Sequence, residues 1–282
     1  VQDFNPDIQK IIGREQGFDV TKKVVDGLRT RGIESLNVDI LYGLPSQSRA
    51  HISDSVQRVL SLSPDRIALY GYAHVPWMAR RQALIPTDLL PRPEERLDLF
   101  DTAARLFRWD GYIDIGIDHF AREDDGLAIA LRDKSLRRNF QGYTEDTAEV
   151  LMGLGASSIS KFPGGFAQNH PATSKWSAAV SDGELATSRG IPLRPDDILR
   201  GAAIEMLMCD FEIDFQRLAE RAGVSLEDAR ALVLPLKNAF PDALDLDGRG
   251  LLLRPEARAM TRLIARGLDA WEVKSAGHSL AI

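Results

Sequence analysis

The spacing of one strand, one helix and a second strand constrains this chain most. Leu36-Asn37-Val38-Asp39-Ile40-Leu41-Tyr42 is a largely apolar run of strand length, closed by the breaker Gly43-Leu44-Pro45. A helical stretch with Ile52, Val56 and Leu60 on one stripe follows and ends before Pro64. Arg66-Ile67-Ala68-Leu69-Tyr70-Gly71-Tyr72 is the next strand. Strand, helix, strand at this spacing is a βαβ unit, and such a unit implies parallel pairing. Upstream, Asp19 is expected to cap a helix that buries Val20, Val24 and Leu28 and stops at Gly32. Downstream, residues 74 to 92 form a longer connection. A helix from about Glu94 then buries Leu99, Ala103, Leu106 and Phe107 and stops at Gly111.

The alternation of Tyr112-Ile113-Asp114-Ile115-Gly116-Ile117 predicts a strand. It runs into Asp118-His119-Phe120-Ala121-Arg122, and Arg138-Asn139-Phe140-Gln141-Gly142-Tyr143-Thr144 comes soon after. An acid, an imidazole, arginines, a carboxamide, a phenol and a hydroxyl thus gather at what reads as the C-terminal end of a strand, where α/β sheets carry their sites. His119 alone reads as a satisfied core histidine; the mixture around it reads as a site. Glu145 to Leu151 reads as a short helix. Gly153 to Ser160 is rich in glycine and serine with a strand-like end, which suits close approach to a ligand and tight packing equally.

The organisation expected is a first domain over 1–165, an irregular connection over 166–193 and a helical domain over 194–282. In the last, Pro195 opens a helix burying Leu199, Ala202 and Met206, a second lies near Phe215 to Ala222, and Ser225 caps a third. A hairpin turns at Asp247-Gly248, and a closing helix carries Met260, Leu263, Ile264, Leu268 and Trp271. That order is winged-helix-like, and such modules often bind DNA. Twelve Lys and Arg stand against fifteen Asp and Glu in 194–282, and the whole chain carries −6, so a phosphate-binding surface is disfavoured. No apolar run approaches the roughly 20 residues that span a bilayer. Cys209 is the single cysteine, so no internal disulfide forms, as suits a reducing cytoplasm, and its place in a helical pattern makes it a small buried hydrophobe. The opening Val1-Gln2-Asp3-Phe4-Asn5 has no Met and reads as the end of a strand, so the chain is expected to begin inside a domain.

Asp39 stands among apolar neighbours, and a buried carboxylate needs donors or a cation. Arg14 is a candidate partner. Two readings stay open: a structural ion pair, or a polar ligand held by Asp39, Arg14 and Gln2. A carboxylate with a guanidinium suits an amino acid zwitterion, the acid taking the ammonium and the arginine the carboxylate.

Several blocks carry a resemblance: Val1 to Asn5, Arg14-Glu15-Gln16, Asn37 to Pro45, Tyr72-Ala73-His74-Val75-Pro76, Asp118 to Arg122 and, most specific, Asn139-Phe140-Gln141-Gly142-Tyr143-Thr144. They resemble the oxygen-independent coproporphyrinogen III oxidases, radical S-adenosylmethionine (SAM) enzymes, over essentially the whole chain. The related heme chaperones differ in the last block. The resemblance implies an α/β fold, the C-terminal portion of an incomplete TIM-like radical SAM barrel with a small, mainly helical C-terminal domain. It implies oxidative decarboxylation of coproporphyrinogen III to protoporphyrinogen IX, a 4Fe–4S cluster and two SAM molecules. Gln2, Arg14 and Asp39 match positions on the second SAM, Ala73 and Ile159 match positions on the cluster-bound SAM, and Gln141 falls on the substrate side. A monomer with an electron donor is implied, with no nucleic acid or membrane.

One departure is large. The family's Cys-x-x-x-Cys-x-x-Cys motif is absent, since Cys209 stands alone. The chain is therefore expected to be the C-terminal part of a longer enzyme, inactive by itself. The competing readings are a heme- or porphyrin-binding carrier using His74, His119 or His170, a winged-helix regulator, and an inactive fragment.

Overall fold

Residues 1–77 and 79–271 are described by a computed structural model of the chain. They divide by contact density into two units, Val1–Glu145 and Asp146–Trp271.

The first unit opens with a short extended segment and α1 (Pro6–Ile11), capped by Asn5, whose side chain accepts from the amides of Asp7 and Ile8. Next come α2 (Phe18–Thr30), β1 (Asn37–Tyr42), α3 (Arg49–Leu60) and β2 (Arg66–Gly71). β1 and β2 pair in parallel, with Asp39 opposite Ala68 and Leu41 opposite Tyr70, as the βαβ spacing requires. Ser48 starts α3 through a reciprocal capping box with His51. α4 (Pro93–Trp109) covers the same face of the sheet. Val38, Ile40, Ile67 and Leu69 from the strands meet Ile52 and Val56 of α3 and Leu99 and Phe107 of α4 in one core.

Two sequence expectations change here. α2 buries Thr21 and Val25, while Val20 and Val24 are exposed, and its cap is Gly17. With the helix starting at Phe18, the face that meets the core is rotated by one residue from the Val20–Val24 stripe. After β3 (Ile113–Ile115) the chain does not enter a loop; it turns through Gly116 into β4 (His119–Ala121). β4 runs antiparallel to both β2 and β3, giving the sheet order β1-β2-β4-β3. The polar cluster thus begins on a second hairpin strand rather than above a strand's C-terminal end. α5 (Gly126–Arg132) follows, capped by Asp125, which also takes both bonds of the Arg66 Nε–H at 2.7 and 2.8 Å. β5 (Arg137–Asn139) and β6 (Gly142–Thr144) close the unit as a two-residue hairpin turning at Phe140-Gln141.

Residues 145–151, where the second unit begins, form no helix; Leu151 instead bridges Lys161. The stretch read as irregular is ordered: β7 (Ile159–Phe162), β8 (Gly165–Asn169) and β9 (Thr187–Pro192) make an antiparallel sheet, with α6 (Thr173–Ser181) between the last two. All six residues of β9 are exposed and α6 buries none, so neither carries an apolar period to read. A β-carbon on Gly153 would come within 2.7 Å of the Ile159 carbonyl oxygen, which accounts for that glycine by packing.

α7 (Pro195–Asp210), β10 (Glu212–Asp214), α8 (Phe215–Ala222), α9 (Leu226–Ala239), β11 (Leu244–Leu246) and β12 (Gly250–Leu253) have the helix, strand, helix, helix, hairpin order of a winged helix. β10 completes the sheet by pairing with β12. Cys209 is buried in α7. α10 (Thr261–Arg266) buries Ile264, while Leu263 is half exposed. The domain expected over 194–282 is described to Trp271, and residues 272–282 lie outside the described residues.

Candidate functional site

Side chains alternate across a strand, so β1 and β2 present a second face opposite the core. On β1 that face carries Asn37, Asp39 and Leu41; on β2 it carries Arg66, Ala68 and Tyr70. Register sets Asp39, Ala68 and His119 in one row across three strands. Asp39 and His119 thus stand two strand spacings apart, about 10 Å, with Ala68 between them.

Asp39 is exposed on this face, not buried among apolar residues, and takes a bond from Asn37 Nδ2 at 2.7 Å. Arg14 is exposed too, and among the described residues no ion pair joins it to Asp39. The structural ion pair is therefore not made, which removes one of the two readings of these residues. Arg14 sits just past α1, held by its amide on the Gln9 carbonyl at 2.9 Å and preceded by Gly13 at φ +66°. Asp39 and Arg14 both lie near Val1. Gln2, next to Val1, accepts from the Leu41 amide at 3.4 Å, so its segment lies alongside β1.

A buried polar frame fixes this arrangement, and sequence reasoning missed it. Asp3, 2% exposed, accepts from Gln47 Nε2 at 2.7 Å, Ser55 Oγ at 3.1 Å and the Asn5 amide at 2.7 Å. Gln47 Oε1 accepts from the Gly43 amide at 2.7 Å, and Gln9 bridges the Asp3 and Gln16 carbonyls at 2.8 and 2.7 Å. The first sixteen residues are thereby tied to the C-terminal end of β1. Polar residues at isolated positions give no periodic signal, so only contact reveals the set.

His119 is buried with Asp118, whose Oδ1 lies 2.7 Å from Nδ1. Its ring meets Tyr143 edge-on at 5.1 Å and Tyr70 at 5.7 Å, with the Tyr70 hydroxyl 3.5 Å from Nε2. Gln141 is exposed at the tip of the β5–β6 hairpin. Ala73 lies just beyond β2 and accepts from Gln82 Nε2 at 3.1 Å. Ile159 opens β7 in the second unit and is half-buried. Gln2, Arg14 and Asp39 are thus brought together, and Gln141 lies on the same unit.

The described residues contain no group of three or more His, Cys, Asp or Glu placed to hold a metal ion. One buried thiol cannot supply the three thiolates of a 4Fe–4S cluster, so these residues do not fit that cluster. Asp39 and Arg14, both exposed, present opposite charges near Val1. Of the histidines of the carrier reading, His74 has its ring nitrogens at 3.3 Å from Tyr72 Oη and 3.2 Å from Thr87 Oγ1, and His119 Nδ1 lies against Asp118.

No family model matches the chain. The oxygen-independent coproporphyrinogen III oxidase of Paracoccus denitrificans is 56% identical over 282 residues, all of this chain and 62% of that protein. That of Cereibacter sphaeroides is 50% identical over 272 residues, 96% of this chain and 60% of the relative. The solved structure of coproporphyrinogen III oxidase from Escherichia coli, described as a radical SAM enzyme, superposes with a TM-score of 0.90 at 34% identity, covering 96% of this chain and 63% of that one. The fold described above is accordingly a portion of a radical SAM fold. The chain is thus similar along its whole length to proteins named oxygen-independent coproporphyrinogen III oxidase, and it spans about three fifths of their length.

Proposed function

We propose that these residues serve in the oxygen-independent conversion of coproporphyrinogen III to protoporphyrinogen IX. Each of two propionate side chains gives up one hydrogen atom, one electron and carbon dioxide to become a vinyl group. The observation that carries the reading is 56% identity along the entire chain to a protein named for that oxidation.

SAM, when bound, supplies the hydrogen-abstracting radical. In this reading Asp39 receives its ammonium, Arg14 its carboxylate, and Gln2 a further polar contact, while Ala73 and Ile159 line the other SAM molecule and Gln141 meets the substrate. What the chain's own residues do is bind and orient: the Asp3–Gln47–Ser55 frame holds Gln2 and Arg14 against the strand that bears Asp39. Thiolates for a 4Fe–4S cluster must come from outside these residues, and the relatives have length that the chain does not match. The reading takes an electron donor as partner and no nucleic acid, as a monomer in the cytoplasm. The net charge of −6 supports the second point. No helix among the described residues is long and apolar enough to cross a membrane.

The test is anaerobic incubation of the protein, expressed with the coding sequence that adjoins Val1, with coproporphyrinogen III and SAM. Protoporphyrinogen IX is expected, read as porphyrin fluorescence after oxidation. Asp39→Asn and Arg14→Ala should each weaken SAM binding by about tenfold or more, the scale of a lost charge-assisted bond. No conversion with intact SAM binding would refute the oxidase reading and leave a SAM-binding protein of other function.

A further inference from the structure

The β5–β6 hairpin has three residues a side, and a two-stranded hairpin of that size is not stable by itself. It must be held, and two of the contacts that hold it meet one imidazole. Tyr143 of β6 is buried, with its ring edge-on to His119 at 5.1 Å and an interplanar angle of 81°. The Tyr143 hydroxyl accepts from the Ile117 amide at 3.1 Å, which ties the hairpin to the β3–β4 turn. Gly142, next to the exposed tip, adopts φ +140°, and a β-carbon there would lie 3.2 Å from His119 Nε2. The hairpin backbone therefore rests directly on the imidazole edge, with no side chain between them.

His119 is itself immobilised. Asp118 Oδ1 at 2.7 Å fixes Nδ1, and β4 pairing sets His119 opposite Ala68, in the row that begins with Asp39. The imidazole thus joins two features otherwise far apart in the chain: the face bearing Asp39 and the hairpin bearing Gln141.

We infer that His119 is the positioning residue of the substrate side, acting through Gly142 and Tyr143 to set where Gln141 stands relative to the Asp39 face. This rests on the reading of Gln141 as a substrate contact. His119 itself is 8% exposed and roofed by Gly142, so it acts through the hairpin rather than on the substrate.

The test combines amide hydrogen exchange with kinetics on His119→Gln. Exchange across 137–144 should quicken by about tenfold while 37–42 and 66–71 keep their protection, and KM for coproporphyrinogen III should rise with SAM affinity unchanged. In the double variant with Gln141→Ala, the effect of His119→Gln on KM should vanish, because a misplaced carboxamide and an absent one are equivalent. Unchanged exchange in the hairpin overturns the proposal. So does a parallel loss of SAM affinity and sheet protection, which would make His119 a general support of the sheet. If exchange responds but Gln141→Ala leaves KM unchanged, the substrate role of Gln141 fails while the anchoring of the hairpin stands.

Discussion

Tyr112 shows how one buried hydroxyl links stability to pH. Its Oη donates to the Pro64 carbonyl at 2.5 Å, and the Arg122 guanidinium lies 4.0 Å from the ring centroid. Burial pushes the phenol up from 10 to about 12, with Arg122 opposing. The folded form therefore holds this proton more tightly than the unfolded chain. Its contribution is complete below pH 10 and is lost as pH rises from 10 towards 12. Urea unfolding at pH 8 and pH 11 should show that loss. Tyr112→Phe should cost about 1 kcal/mol at pH 8, the scale of one hydrogen bond, and should flatten the alkaline decline. An equal decline in the variant would assign it to other groups. Residue identities alone give no such value; it needs the contact with Pro64, 48 positions away. Asp39 illustrates the opposite case. Its apolar neighbours suggested burial, yet the alternation of Asn37, Asp39 and Leu41 with Val38, Ile40 and Tyr42 already divides the strand into two faces.

At the scale of elements, legibility followed burial. β1, α3, β2 and α4 pack into one core, and their apolar positions repeat at the strand or helix period. The winged-helix elements are legible too, with Ser225 capping α9 and Pro195 opening α7 where the sequence puts them. β4, β9 and α6 were missed for two reasons. β4 has three residues, all buried, so it shows no alternation, and β9 and α6 bury nothing. The β3–β4 turn yields a sharp prediction. Gly116 has φ +58°, and a β-carbon there would lie 2.1 Å from Tyr143 Cζ and Oη. Gly116→Ala should displace Tyr143 from His119 and destabilise the protein by about 1–3 kcal/mol, from left-handed strain together with overpacking. Gly183, at φ +76° with nothing near its added β-carbon, is the control that carries strain alone. Equal losses at the two positions would mean that the Tyr143 contact adds nothing.

For the molecule as a whole, the count of thiols decides what chemistry these residues can host. In the proposed reading Asp39, Arg14 and Gln2, on one unit with the Asp3–Gln47 frame behind them, take a zwitterion without iron. A 4Fe–4S cluster in this family needs three thiolates close together, and Cys209 is alone and buried in α7. Binding of SAM and assembly of the cluster should therefore separate in the 282-residue polypeptide. After anaerobic incubation with iron, sulfide and a thiol reductant it should stay colourless and hold no iron after desalting. Equilibrium dialysis should still find SAM bound, and Asp39→Asn should weaken that binding by about tenfold or more without moving the thermal midpoint, because the carboxylate is exposed. Brown protein with near four irons per chain would show a cluster held by ligands other than thiolates and would undo this division. Absence of both iron and SAM would mean that the zwitterion site depends on residues beyond the ones that now surround it.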